Sequence, residues 1–163
     1  MSDGKRGSVH GLDCCEPSLV FGRSRGQLPP LSELADAGAF GRLESGVPPI
    51  TVPAWSCMMS SKTPGDLGIY GFRNRADHSY DGLFIANGAA VKEPRLWDIL
   101  GRRGKQSIVP SVPGTWPIKP RNAVLVSCFL TPSLESPTTL PPAPTNAVAA
   151  AHAESMSQLT DAA

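Results

Sequence analysis

The chain has 163 residues, 40% of them hydrophobic, and a formal net charge of +1. This length suits one domain with a sizeable core. All 15 Lys and Arg residues lie at or before Arg121, but they are scattered, so no dense stripe for nucleic acid is present. No apolar run approaches a membrane span, and the N-terminus lacks the apolar core of a signal peptide.

Residues 8–12 are predicted to form a first strand that leads into Asp13. Open α/β sheets place ligand-binding groups at the C-terminal end of such a strand. Asp is also a favoured helix cap, and Pro17 is a favoured first helical residue, so a capping role for Asp13 stays open. The pattern then predicts helices over 17–25 and 30–37 and a short strand over 40–44.

The central feature is the stretch 48–72, where Ser56 and Cys57 are predicted to lie at the point at which a Pro-bounded loop becomes a helix. The first turn of a helix carries unpaired N–H groups and a partial positive charge, which stabilise a thiolate or an oxyanion. That placement favours a nucleophile facing an anionic substrate. The alternative is that Cys57, Met58 and Met59 are core residues, since buried Cys and Met are common.

The clearest helix is predicted over 94–103, with Pro94 at its start and Gly104 at its end. Strands are predicted over 106–112 and 123–127, so helices alternate with strands, which is typical of an α/β layer architecture. Residues 1–7 are expected to be a flexible N-terminus. Residues 136–163 are rich in Pro and Ala and are predicted to be a disordered C-terminal tail.

The four cysteines predict the redox environment. No Cys-x-x-Cys motif is present, and the neighbouring Cys14 and Cys15 would pair only with strain. We therefore expect reduced thiols and a cytoplasmic location.

Nine short motifs follow one another between residues 8 and 135, and in this order they resemble the type I phosphodiesterase/nucleotide pyrophosphatase family of the alkaline phosphatase superfamily. The motifs are Gly11-Leu12-Asp13, Gly38-Ala39-Phe40-Gly41, Pro48-Pro49-Ile50, Pro53-Ala54-Trp55-Ser56-Cys57, Lys62-Thr63-Pro64-Gly65, Gly68-Ile69, Leu96-Trp97-Asp98-Ile99-Leu100, Val112-Pro113 and Ser127-Cys128-Phe129-Leu130-Thr131-Pro132-Ser133. The resemblance implies that 8–135 is the N-terminal part of a phosphodiesterase domain, with a partial alkaline-phosphatase-like sheet flanked by helices.

The resemblance also implies site residues, cofactors and a substrate class. Asp13 corresponds to a ligand of one of two divalent metal ions, expected to be zinc. The nucleophile position falls on Cys57, which as a thiolate would also be a metal ligand, and Ser56 is the alternative if the register shifts by one residue. Asn74 is a candidate substrate contact, two positions from the family's asparagine. The implied substrate is a phosphodiester or a nucleotide, and the implied reaction is hydrolysis of phosphoester or phosphoanhydride bonds.

The sequence also departs from the family pattern. Ser60-Ser61 stands where Thr-Gly is usual, and Leu67 stands where His often precedes Gly68. The Asp and His ligands that the family carries further downstream are not evident in this sequence. We therefore expect a truncated, inactive fragment with at most a partial metal site. The alternative is a non-catalytic remnant or interaction module of the same fold.

Overall fold

The computed structural model describes residues 6–77, 79–119, 121–133 and 135–142. The chain divides into two compact units, one up to Glu44 and one from Ser45 onward. All five strands found in the described residues lie in the second unit, together with three of the four α-helices.

The first unit is built from short helical pieces. A π-helical turn, Leu19–Arg23, and a 3₁₀ turn, Arg25–Gln27, precede helix α1, Pro29–Ala37. Proline at the start of α1 suits a position whose N–H has no helical acceptor. The helix predicted over 30–37 is confirmed as α1, whereas the region predicted as a helix over 17–25 forms only the π-helical turn and the start of the 3₁₀ turn.

The prediction of two strands in this unit is wrong. Residues 8–12 and 40–44 have no strand partner among the described residues. Val9 and Leu12 are 67% and 64% exposed, so the first segment has no apolar face against a sheet. Phe40 instead stacks on Phe21, with ring centroids 4.8 Å apart. The local β propensity of these segments is not supported by any long-range pairing.

The helices of the second unit are α2, Thr51–Ser60, α3, Pro64–Leu67, and α4, Leu96–Arg102. Thr63 caps α3, because its hydroxyl accepts from the N–H of Asp66 while the Asp66 carboxylate accepts from the N–H of Thr63. The helix predicted over 94–103 is confirmed as α4.

Two small sheets complete the second unit. Strands β1, Arg73–Arg75, and β2, Leu83–Ile85, form an antiparallel hairpin. In the other sheet, β4, Ala123–Val126, lies between a parallel β3, Ser107–Pro110, and an antiparallel β5, Thr139–Leu140. The strands predicted over 106–112 and 123–127 are confirmed. Strand β5 comes from the predicted C-terminal tail, of which residues 143–163 lie outside the described part.

Helix α2 packs into both hydrophobic clusters of the second unit. Its Val52 belongs to a cluster with Ile69, Ala86 and Val91. Its Met59 belongs to a cluster with Trp97, Val109 and Leu125. Burial of these side chains supplies the main driving force for folding. The result is a mixed α/β structure of helices and two small sheets, the class that the sequence predicts.

Candidate functional site

Helix α2 begins earlier than the sequence analysis expects. Its first residue is Thr51, so Ser56 and Cys57 are the sixth and seventh of its ten residues. The prediction that they lie at the start of the helix is wrong. The overlooked signal is Pro53, because proline is tolerated in the first turn of a helix and breaks later turns.

Cys57 is half-buried, in surroundings that disfavour its thiolate form. Burial raises its pKa, and the negative charge of Asp66 raises it further. The unpaired N–H groups of α2 are four residues or more upstream, so they do not offset this shift. The interpretation of this segment as core fits Met59, which is 8% exposed, whereas Met58 is 46% exposed.

Ser56 is buried, with 4% of its surface exposed. Its backbone carbonyl accepts a hydrogen bond of 2.6 Å from the Ser60 hydroxyl. Its Oγ faces Gly114, where an added Cβ would lie 4.0 Å from that oxygen. Ser56 therefore packs inside the unit, and a substrate has no open approach to its hydroxyl in this conformation.

The hydroxyl that does lie at the helix start is that of Thr51. Ile50 has extended backbone and precedes it, and the N–H of Ala54 already bonds to the Ile50 carbonyl. Thr51 is half-buried. Thr51 lies at the N-terminal end of a ten-residue helix, where the helix dipole favours a developing negative charge. Thr51 is absent from the predicted site residues because the start of the helix was predicted too late.

Asn74 is the buried middle residue of β1, 5% exposed. Its Oδ1 accepts from the N–H of Tyr70 at 2.7 Å, and its Nδ2 donates to the Gly71 carbonyl at 2.9 Å. The side chain therefore holds the turn that leads into β1. Substrate binding by Asn74 stays a prediction.

Asp13 lies in the first unit, whereas Ser56, Cys57 and Asn74 lie in the second. It is exposed and sits in a turn, because the strand expected before it does not form. Three of the four predicted site residues therefore belong to the second unit, and Asp13 belongs to the first.

The described residues do not fit the two-metal site that the resemblance implies. Among them, no group of three or more His, Cys, Asp and Glu side chains is close enough to hold a metal ion. Metal coordination needs several deprotonated donors converging on one point, and the described part of the chain does not show such a set.

A comparison with known protein families identifies the class. The family described as Type I phosphodiesterase / nucleotide pyrophosphatase matches residues 9–157. The chain belongs to this family, whose members generally use divalent metal ions and whose fold is alkaline-phosphatase-like. Neither the curated proteins nor the solved structures contain a match. In the part of the chain described here, no helix has both the length and the apolar character to cross a bilayer.

Proposed function

We propose that this protein hydrolyses phosphodiester or phosphoanhydride bonds and that the hydroxyl of Thr51 is its nucleophile. Family membership supports the reaction class. The observation that carries the assignment is the position of Thr51 as the first residue of α2. Negative charge that develops on a phosphoryl group in front of this turn would be stabilised by the helix dipole and by backbone N–H groups.

The other two candidates are less suited to attack. Ser56 is buried inside the unit. Cys57 holds its proton more tightly than an ordinary thiol, since burial and Asp66 both raise its pKa. A nucleophile needs the opposite, a lowered pKa or an adjacent base. A hydroxyl also agrees with the resemblance, which implies a Ser or Thr before the segment that corresponds to Ser60–Gly68, although the spacing used in the sequence analysis gives the position of Cys57.

The reaction at Thr51 would proceed in two displacements. The Oγ1 atom attacks phosphorus, the leaving oxygen departs with the bonding electron pair, and the hydroxyl proton passes to solvent. Water then attacks the phosphorus of this threonine ester, which returns a proton and the bonding electron pair to Oγ1 and releases the phosphate monoester. No side chain of the described residues is assigned as the general base.

We further propose that turnover by this chain alone is weak. The support is the lack of a ligand cluster among the described residues. The alternative is a non-catalytic interaction module of the same fold. We also propose zinc as the metal, on the basis of the resemblance. We propose a cytoplasmic location because the four cysteines are expected to be reduced.

Covalent trapping tests the nucleophile even when turnover is weak. The full chain is incubated with bis(4-nitrophenyl) phosphate, and the adduct is located by peptide mass spectrometry. We expect a phosphoryl adduct on Thr51 that is lost in Thr51→Val and kept in Ser56→Ala and Cys57→Ser. An adduct on Ser56 or Cys57 would refute the assignment of Thr51. No adduct in the parent chain would favour the non-catalytic module.

Metal analysis tests the proposal of weak turnover. Elemental analysis of the purified chain is combined with release of 4-nitrophenol from the same diester, before and after a chelator. Two zinc ions per chain, together with rapid turnover that the chelator abolishes, would overturn the proposal. Less than one ion per chain with slow release would support it.

A further inference from the structure

An open groove of about 430 Å³ runs beside α4 and reaches the connection between β3 and β4. This volume lies in the range of small-molecule sites. The groove is apart from the candidate nucleophile, because neither Thr51 nor any other α2 residue lines it. Five of the side chains that line it are cationic, namely Lys92, Arg95, Arg102, Lys119 and Arg121.

The carboxylates of the groove do not neutralise this charge. Only two line it, Asp98 and Glu93. Asp98 forms an ion pair with Arg121. Glu93 lies 3.8 Å from Lys62, which is not part of the lining. Arg102 and Lys119 have no carboxylate partner among the described residues, so the groove has a clear excess of positive charge.

The buried arginine of the groove is held rigidly and is also unneutralised. Arg95 is 5% exposed and donates to the carbonyl oxygens of Gly114 at 2.8 Å and Gly88 at 2.7 Å. Burial lowers its pKa to about 10, with a further contribution from the positive charge of Arg121, while Cys128 acts in the opposite direction. Burial also lowers the pKa of Arg121. An anion in the groove would relieve this repulsion.

Trp97, one of the residues that line the groove, also carries a buried polar group without a partner among the described residues. Trp97 lines the groove and is 4% exposed, and its Nε1 has no hydrogen-bond partner among the described residues. Buried N–H groups are nearly always satisfied, because an unpaired donor loses its hydration without compensation. This N–H is itself buried, so it reports on the neighbourhood of the groove and is not counted among the groups that would contact an occupant.

We propose that this groove is a second anion site, which binds a small phosphate-bearing molecule through Arg102, Lys119 and the surrounding cations. Phosphate suits the arrangement because its oxygens accept several charge-assisted hydrogen bonds at once from Arg and Lys. The cations converge on one groove and do not extend along the surface, which favours a small ligand over a nucleic acid. This site goes beyond the proposed hydrolysis and does not depend on Thr51.

Calorimetric titration of the full chain with inorganic pyrophosphate tests the proposal. The variant Arg102→Gln/Lys119→Gln removes two cations of the groove. The variant Arg103→Gln/Lys105→Gln removes the same charge from exposed residues near the end of α4 that do not line the groove. We expect the dissociation constant to rise at least about tenfold in the groove variant, from the loss of charged hydrogen bonds, and to change little in the matched control.

Two further measurements sharpen the test. The indole N–H resonance of Trp97, assigned with Trp97→Phe, is expected to shift on addition of pyrophosphate in the parent chain and not in the groove variant. Citrate serves as a carboxylate competitor. Absence of pyrophosphate binding, an equal loss in both double variants, or citrate binding as tight as pyrophosphate would overturn the proposal.

Discussion

The thiol of Cys57 provides a prediction about a single residue. Its pKa is raised by burial and by the negative charge of Asp66. The protonated form therefore persists to higher pH than in an ordinary thiol, whose pKa is about 8.5. The midpoint of the pH dependence of its alkylation by iodoacetamide, followed by peptide mass spectrometry, is therefore expected above that value. Asp66→Asn is expected to lower the midpoint, because it removes a like charge from the vicinity of the thiolate.

Asp81→Asn is the matched control, since it removes an exposed carboxylate that does not contribute to the shift of Cys57. It is expected to leave the midpoint unchanged. A midpoint at or below the ordinary value would contradict the burial argument. It would also reopen the assignment of Cys57 as a thiolate nucleophile and metal ligand.

The C-terminal end of α2 provides a prediction about an element. Ser61 has a left-handed backbone, with φ 57° and ψ 36°, and its N–H bonds to the Cys57 carbonyl. The resemblance implies glycine at this position, and glycine adopts this conformation without a steric cost from Cβ. Ser61→Gly is therefore expected to raise the free energy of unfolding by about 0.5–1 kcal/mol, the left-handed penalty less the added entropy of the unfolded chain.

Urea denaturation measures this change. Ser61→Ala is the control, because alanine keeps a Cβ in the same conformation and should bring no gain. A loss of stability in Ser61→Gly would mean that the serine side chain contributes an interaction that outweighs the strain of its backbone.

The division into two units provides a prediction about the whole molecule. None of the described residues from 6 to 44 is buried, whereas both hydrophobic clusters lie in the second unit. The fragment 45–163 is therefore expected to unfold cooperatively, with a free energy of unfolding within about 1 kcal/mol of the full chain, because little apolar burial is lost. Circular dichroism in a urea series checks this.

A core truncation in the same fragment shows that the measurement is sensitive. Trp97→Ala removes a large buried side chain from the second cluster and is expected to lower the free energy of unfolding by about 3–5 kcal/mol. A fragment 45–163 that is unfolded in the absence of urea would show that the first unit supplies stability that its exposure does not indicate.

Local signals in the sequence determined several elements and the family of this protein. Helices α1 and α4 carry proline at or just before their starts and glycine at or just after their ends, and β3 and β4 are apolar runs, so each can be located from neighbouring residues alone. The order of the short motifs was enough to identify the family, and the match over residues 9–157 confirms it. The start of α2 was also encoded locally, by Pro53, although the sequence analysis misplaced it.

Only the tertiary structure decided the features that join distant parts of the chain. Residues 8–12 have no strand partner in the described part of the chain, while the two residues of β5 form a strand because they pair with β4. The raised pKa of Cys57 depends on its burial and on the charge of Asp66, nine positions later. The cationic groove exists because α4 and residues 119–122 lie together. Pairing, desolvation and charge repulsion depend on distances in space, which local sequence patterns do not specify.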